Sequence, residues 1–128
     1  MSSASDGCSE TELHAAAWSG DVNYLKEILA KGIDVNVTDS INETPLHGAC
    51  GWGRIDVVDY LLGQGANPNC FSADGLTPLH WACSHGTVEI LALLIKHGAL
   101  LQASKAGLSP MEIAKKHNNQ RVVAWLKK

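Results

Sequence analysis

The sequence repeats itself every 33 residues, and that period limits the fold more than any other feature. Leu13-His14, Leu46-His47 and Leu79-His80 fall on it, as do Gly20, Gly53 and Gly86, and again Gly32, Gly65 and Gly98. The apolar series Val22, Leu25, Ile28, Leu29 maps onto Ile55, Val58, Leu61, Leu62, and that onto Val88, Leu91, Leu94, Ile95. One unit of this length cannot bury its own apolar face. Stacked on its neighbours it can, so the chain reads as a single quasi-one-dimensional array with atypical end units.

Each unit has a local reading. Thr44-Pro45 and Thr77-Pro78 are helix starts. The hydroxyl caps a backbone N–H, and proline at the first helical position has its φ already set. Ser109-Pro110 repeats the signal, and Thr11-Glu12 is a weaker version. The first helix is short, about eight residues, and ends near Gly20, Gly53 or Gly86, where glycine takes the left-handed conformation without steric cost. The second carries apolar residues at i, i+3, i+6 and i+7 and ends at Gly32, Gly65 or Gly98. Roughly ten residues rich in Asn, Asp, Ser and Gly then form a connector. In the fourth unit Ser109 comes 32 residues after Thr77, so the third connector, around 98–102, has lost one residue. That unit puts Asn118 at the inter-helix glycine position and runs out at Trp125-Leu126-Lys127-Lys128.

The combined pattern TPLHxAxxxG…VxxLLxxGAxxN at this period resembles the ankyrin repeat family. The resemblance covers residues 10–128 as four repeats, about 10–42, 43–75, 76–107 and 108–128. Residues 1–9 are left as a flexible N-terminal segment. It implies an all-α repeat solenoid of paired antiparallel helices, with β-hairpin-type loops projecting to one side. It also implies protein binding without catalysis, and histidines that hydrogen-bond within and between repeats near the Thr-Pro turn.

The His/Cys spacing in LHGAC and LHWAC raises the question of a metal or thiol site. Its recurrence answers it: a metal site built once does not reappear in every repeat. Cys50 and Cys83 align with Ala17, so they read as small buried hydrophobes. Zinc would need four converging ligands, and neither CxxC nor HxxxH spacing occurs. The glycine-rich run Gly48-Ala49-Cys50-Gly51-Trp52-Gly53 is no phosphate loop, because its glycines fall inside and at the end of a short helix. They make that helix thin, with room beside it. No catalytic group, metal, cofactor or small-molecule substrate is expected.

The tryptophans and loop tips carry the functional reading. Trp125 aligns with Leu93 and reads as packing in the last unit. Trp81 reads chiefly as core, with groove contact as the other reading. Trp18 and Trp52 occupy the two positions before the inter-helix glycine, where their counterparts are Gly51 and Ser84, and Ser19 and His85. No constant residue is required there, and the resemblance implies that these positions look onto the concave groove where partners dock. Exposed aromatics are common interface anchors. Thr38, Ser40, Ile41 and Glu43 are expected near one loop tip, and Phe71, Ala73, Asp74 and Leu76 near the next. Ile41 and Phe71 either pack on a neighbouring finger or join one surface with Trp52 and His85. The predicted protein-binding set is Trp18, Ser19, Ile41, Glu43, Trp52, Phe71, Asp74, Leu76, Trp81, Ser84 and His85. Asp39, Glu43 and Asp74 favour a protein partner of basic character. Asn36 reads as a hydrogen-bonding loop residue, although its Asp34-Val35 context also resembles that of asparaginyl-hydroxylase substrates among ankyrin repeats.

Charge is unevenly spread. Residues 1–95 carry a net −9 and residues 96–128 a net +6. This polarity suggests two alternatives to partner binding: head-to-tail self-assembly, or weak anionic-ligand binding at the basic end. Nucleic-acid binding is disfavoured by a pI of about 6.0. No apolar run nears the ~18 residues of a membrane span. The start MSSASDGCSE has neither basic n-region nor apolar core, so a cytoplasmic or nuclear protein with reduced thiols, monomeric alone, is expected.

Overall fold

A computed structural model describes residues 10–85 and 87–127. The segment 1–9, expected to be flexible, and Gly86, expected to end a helix, lie outside the described residues. Eight helices follow in pairs: α1 (Glu10–Ser19) with α2 (Val22–Ala30), α3 (Pro45–Gly51) with α4 (Ile55–Gly63), α5 (Pro78–His85) with α6 (Val88–Lys96), and α7 (Pro110–Lys116) with α8 (Gln120–Leu126). A turn of two or three residues folds each even helix back onto its odd partner. The odd helices pack side by side in one layer and the even helices in a second.

Local chemistry sets the helix starts. Thr44 caps α3 and Ser109 caps α7, each with proline at the first turn and a reciprocal side-chain bond from the third helical residue. In α7 that residue is Glu112, held below the usual carboxylate range by its hydrogen bonds to Ser109. Asp21 and Thr87 cap α2 and α6. The start of α1 differs from expectation: the helix already includes Glu10 and Thr11, so Thr11 is not its cap. The inter-helix turns need a positive φ, supplied by Gly20 and Gly53 and, in the last unit, by Asn118 at φ 57°.

The repeated histidines are rivets. Thr44 N–H donates to His47 Nδ1 at 3.0 Å, so Nδ1 is an acceptor and the proton sits on Nε2, which donates to the Leu76 carbonyl at 3.0 Å. His80 repeats this between Thr77 N–H at 2.9 Å and the Gln102 carbonyl at 2.8 Å. His14 Nε2 lies 2.6 Å from the Glu43 carbonyl. The His47 and His80 rings thus join a helix start to the next connector, and His14 ties α1 to the first connector. Asparagines clasp the connectors on the other side. Asn36 Nδ2 donates to Gly65 O while its Oδ1 accepts from Asn67 N, and Asn69 does the same with Gly98 O and Leu100 N. Asn36 is therefore a hydrogen-bonding connector residue.

The connectors depart from the expected β-hairpins. No strand occurs among the described residues. Each finger is a turn closed by two backbone bonds: Asp39 N to Glu43 O with Asn42 N to Asp39 O, Ser72 N to Leu76 O with Gly75 N to Ser72 O, and Ser104 N to Leu108 O with Gly107 N to Ser104 O. Single bonds tie finger to finger, Ala73 N to Ile41 O and Lys105 N to Gly75 O. The turns are too short to run a ladder.

The core lies between the two layers. Leu13, Leu46 and Leu79 from the odd helices meet Leu25, Ile28, Leu61, Leu91 and Leu94 from the even ones. Cys50 and Cys83 are fully buried there, and burial pushes the Cys83 thiol up to about 12 and Cys50 upward as well. Both are inert apolar filler. Trp125 is half-buried against this core.

Candidate functional site

The open face of the odd-helix layer holds a cavity of about 490 Å³ lined by Trp18, Glu43, His47, Gly48, Gly51, Trp52, Trp81 and His85. Three repeats build it: Trp18 comes from the end of α1, Glu43 through Trp52 from α3 and its approach, and Trp81 and His85 from α5. Three of its eight lining residues are tryptophans.

The glycines of α3 make room for these rings. A Cβ on Gly48 would lie 1.6 Å from Trp18 Nε1, so the Trp18 indole rests where that side chain would be. A Cβ on Gly51 would come within 3.2 Å of Trp81 Cε3. The space predicted beside a thin helix is filled by a tryptophan from each neighbouring repeat. Arg54 Nε donates to the Trp18 carbonyl at 2.7 Å and ties the end of α1 to the second repeat. Trp52 needs no such seat: it is 67% exposed, against 37% for Trp18.

Glu43 is where the structure most alters the picture. It was expected near a loop tip; instead it stands at the finger base, only 9% exposed. Its backbone is fixed twice, by Asp39 Oδ1 on its N–H and by His14 at its carbonyl. Its carboxyl makes no hydrogen bond among the described residues. Burial holds that carboxyl above its usual range, the nearby Asp39 and Asp74 charges add to this, and His14 opposes them. His47, under the cavity floor, is held down at about 4, chiefly by burial, and is a neutral ring at pH 7. The indole N–H of Trp81 is buried with no partner, which costs on the order of 1–3 kcal/mol and is uncommon in folded proteins.

A family profile described as ankyrin repeats (many copies) matches residues 13–62 and 46–95. The chain belongs to the ankyrin repeat family. Ankyrin repeats generally serve as protein–protein interaction modules and are typically non-enzymatic. Among curated proteins no significant match to the chain is found.

The other predicted residues of this ankyrin domain fall around the cavity without all joining it. Ser84 Oγ donates to the Trp81 carbonyl at 3.0 Å, and His85 lies exposed with its ring 6.0 Å from Trp81 and 5.0 Å from His117. Ser19 sits outside, at a second hollow with Gly20, Gly53 and Arg54. Ile41 is exposed on the first finger and Asp74 on the second. Leu76, expected near a tip, is half-buried against the core and lends its carbonyl to His47. Phe71 is half-buried beside His80, with Lys105 Nζ 5.1 Å above its ring. It packs on the next finger and does not line the cavity. Sequence reading missed the Gly48 and Gly51 seats, Arg54, and the inward turn of Glu43. Among the described residues no three His, Cys, Asp or Glu side chains are placed to hold a metal, and no helix is long and apolar enough to cross a membrane.

Proposed function

We propose that the chain is a non-enzymatic interaction module, of adaptor, scaffold or inhibitor type, that docks a partner protein on the concave face around Trp52. One observation carries this reading. A large, exposed indole stands beside two further tryptophans on a rigid, apolar-walled cavity, and no core contact requires it. Such an arrangement is the usual anatomy of a binding hot spot. Stacking and the histidine rivets preorganise the groove, so little ordering entropy is lost on docking. Glu43, Asp39 and Asp74 favour a basic partner segment. The thiols of Cys50, Cys70 and Cys83 are free, which supports a reducing compartment, the cytoplasm or nucleus.

A hydrogen-exchange footprint of the domain with a captured partner tests the docking face. Protection should concentrate on residues 43–53 and 76–85 and on the end of α1. Protection confined to α2, α4, α6 and α8 would put the partner on the opposite layer and refute the reading.

A further inference from the structure

We propose that the cavity receives the N-methylated ammonium head of a lysine side chain presented by the partner. This deepens the docking reading and rests on it. Three features point to that chemistry. The wall is aromatic, with Trp18, Trp52 and Trp81 around one opening. Indole faces attract cations more strongly than other side chains do, and most strongly when the cation is desolvated. The single acidic group among the lining residues, Glu43, is nine-tenths buried and has no hydrogen-bonding partner among the described residues. A cation entering the cavity would give that carboxyl a charge-assisted partner.

Methylation follows from counting acceptors. An unmodified ammonium brings three N–H donors. The cavity offers it one carboxyl and the His85 ring; the Trp18 carbonyl is taken by Arg54, and the His47 ring is committed to Thr44 and Leu76. An unmodified lysine would therefore have one more donor than these two side chains can partner. A dimethylammonium has one N–H for Glu43 and two methyls for the indoles. The volume, about 490 Å³, is in the range of small-ligand sites, ~300–1,000 Å³. Burial chiefly raises the Glu43 carboxyl; the Asp39 and Asp74 charges, which add to that shift, also enlarge the local negative potential that a cation would meet.

The probe is Nα-acetyl-Nε,Nε-dimethyl-lysine N-methylamide, titrated into the ¹⁵N-labelled full chain while the indole N–H resonances are followed. Matched titrations use the unmethylated, Nε-acetylated and norleucine compounds. The dimethyl compound should shift the Trp18, Trp52 and Trp81 signals and bind about tenfold more tightly than the unmethylated one. Glu43→Gln and Trp52→Ala should each weaken it by about tenfold or more. Norleucine binding equally well would show that the cavity reads apolar bulk alone, and unmethylated lysine binding as well would remove the methyl requirement. Either result overturns the proposal, as does an absence of shifts. A partner footprint on the groove together with any of these leaves the docking reading standing and removes only the lysine.

Discussion

Acidification from pH 7 to pH 4.5 should strip much of the stability of this domain. The cause is His47, fully buried, whose Nδ1 must accept from Thr44 N–H. Folding moves its pKa from 6.5 to about 4. Between those values the unfolded chain holds a proton that the native ring refuses. The stabilisation is therefore complete above the unfolded value and is lost progressively as pH falls towards the folded one. The full loss from this ring is about 3 kcal/mol, a sizeable part of the ~5–15 kcal/mol of an ordinary domain. His80, shifted the same way by burial, adds to it. Glu43, shifted up, acts in the opposite sense at the acid end. Urea unfolding at a series of pH values gives the slope, and His47→Gln should flatten it. Equal stability at pH 7 and pH 4.5 in the native sequence would contradict the rivet account.

The second large effect separates fold from groove. Gly48→Ala should leave thermal stability nearly unchanged and yet cost about tenfold or more in partner affinity. Alanine is worth about 1 kcal/mol over glycine inside a helix. Against that gain, its Cβ would sit 1.6 Å from Trp18 Nε1, which no small adjustment can relieve. Trp18 is a partly exposed ring at the end of α1, so it can swing outward without disturbing the core. The cavity then loses one wall. Thermal unfolding and titration calorimetry with the partner measure the two halves. A full-affinity Gly48→Ala domain would mean that Trp18 is not part of the docking surface.

The repeat made most of the architecture legible. Period, Thr-Pro starts, inter-helix glycines and the aliphatic face of each second helix all depend on residues close in sequence, and they appear where expected except that Ile55 is exposed and Gly86 lies outside the described residues. The cavity was harder because it is built between repeats. Position 18 rests on position 48, and position 51 lies under position 81: the same thirty-residue offset, used first as Trp on Gly and then as Gly under Trp. Large and small residues exchange places between neighbouring repeats, so the two glycines and two tryptophans are one complementary set. That exchange is visible in the aligned repeats once the offset is known, and the offset comes from the stacking geometry. Glu43 was misplaced for a related reason. Counting from the connector puts it near a tip, but the Asp39 side chain accepts its N–H and folds the finger shut before it. Phe71 was left between two readings, and Lys105 on the next finger decided it, a contact across 34 residues.

The central claim, that the concave face around Trp52 is the working surface, is tested most directly by quantitative capture of a partner on immobilised domain. Trp52→Ala is compared with Leu101→Ala, a second exposed apolar residue that lies on the third connector, outside the cavity lining. Loss of a hot-spot indole, worth about 2 kcal/mol or more, should reduce Trp52→Ala capture by about thirtyfold while Leu101→Ala retains the partner in full. Full retention by Trp52→Ala, with the fold intact by circular dichroism, would contradict the account.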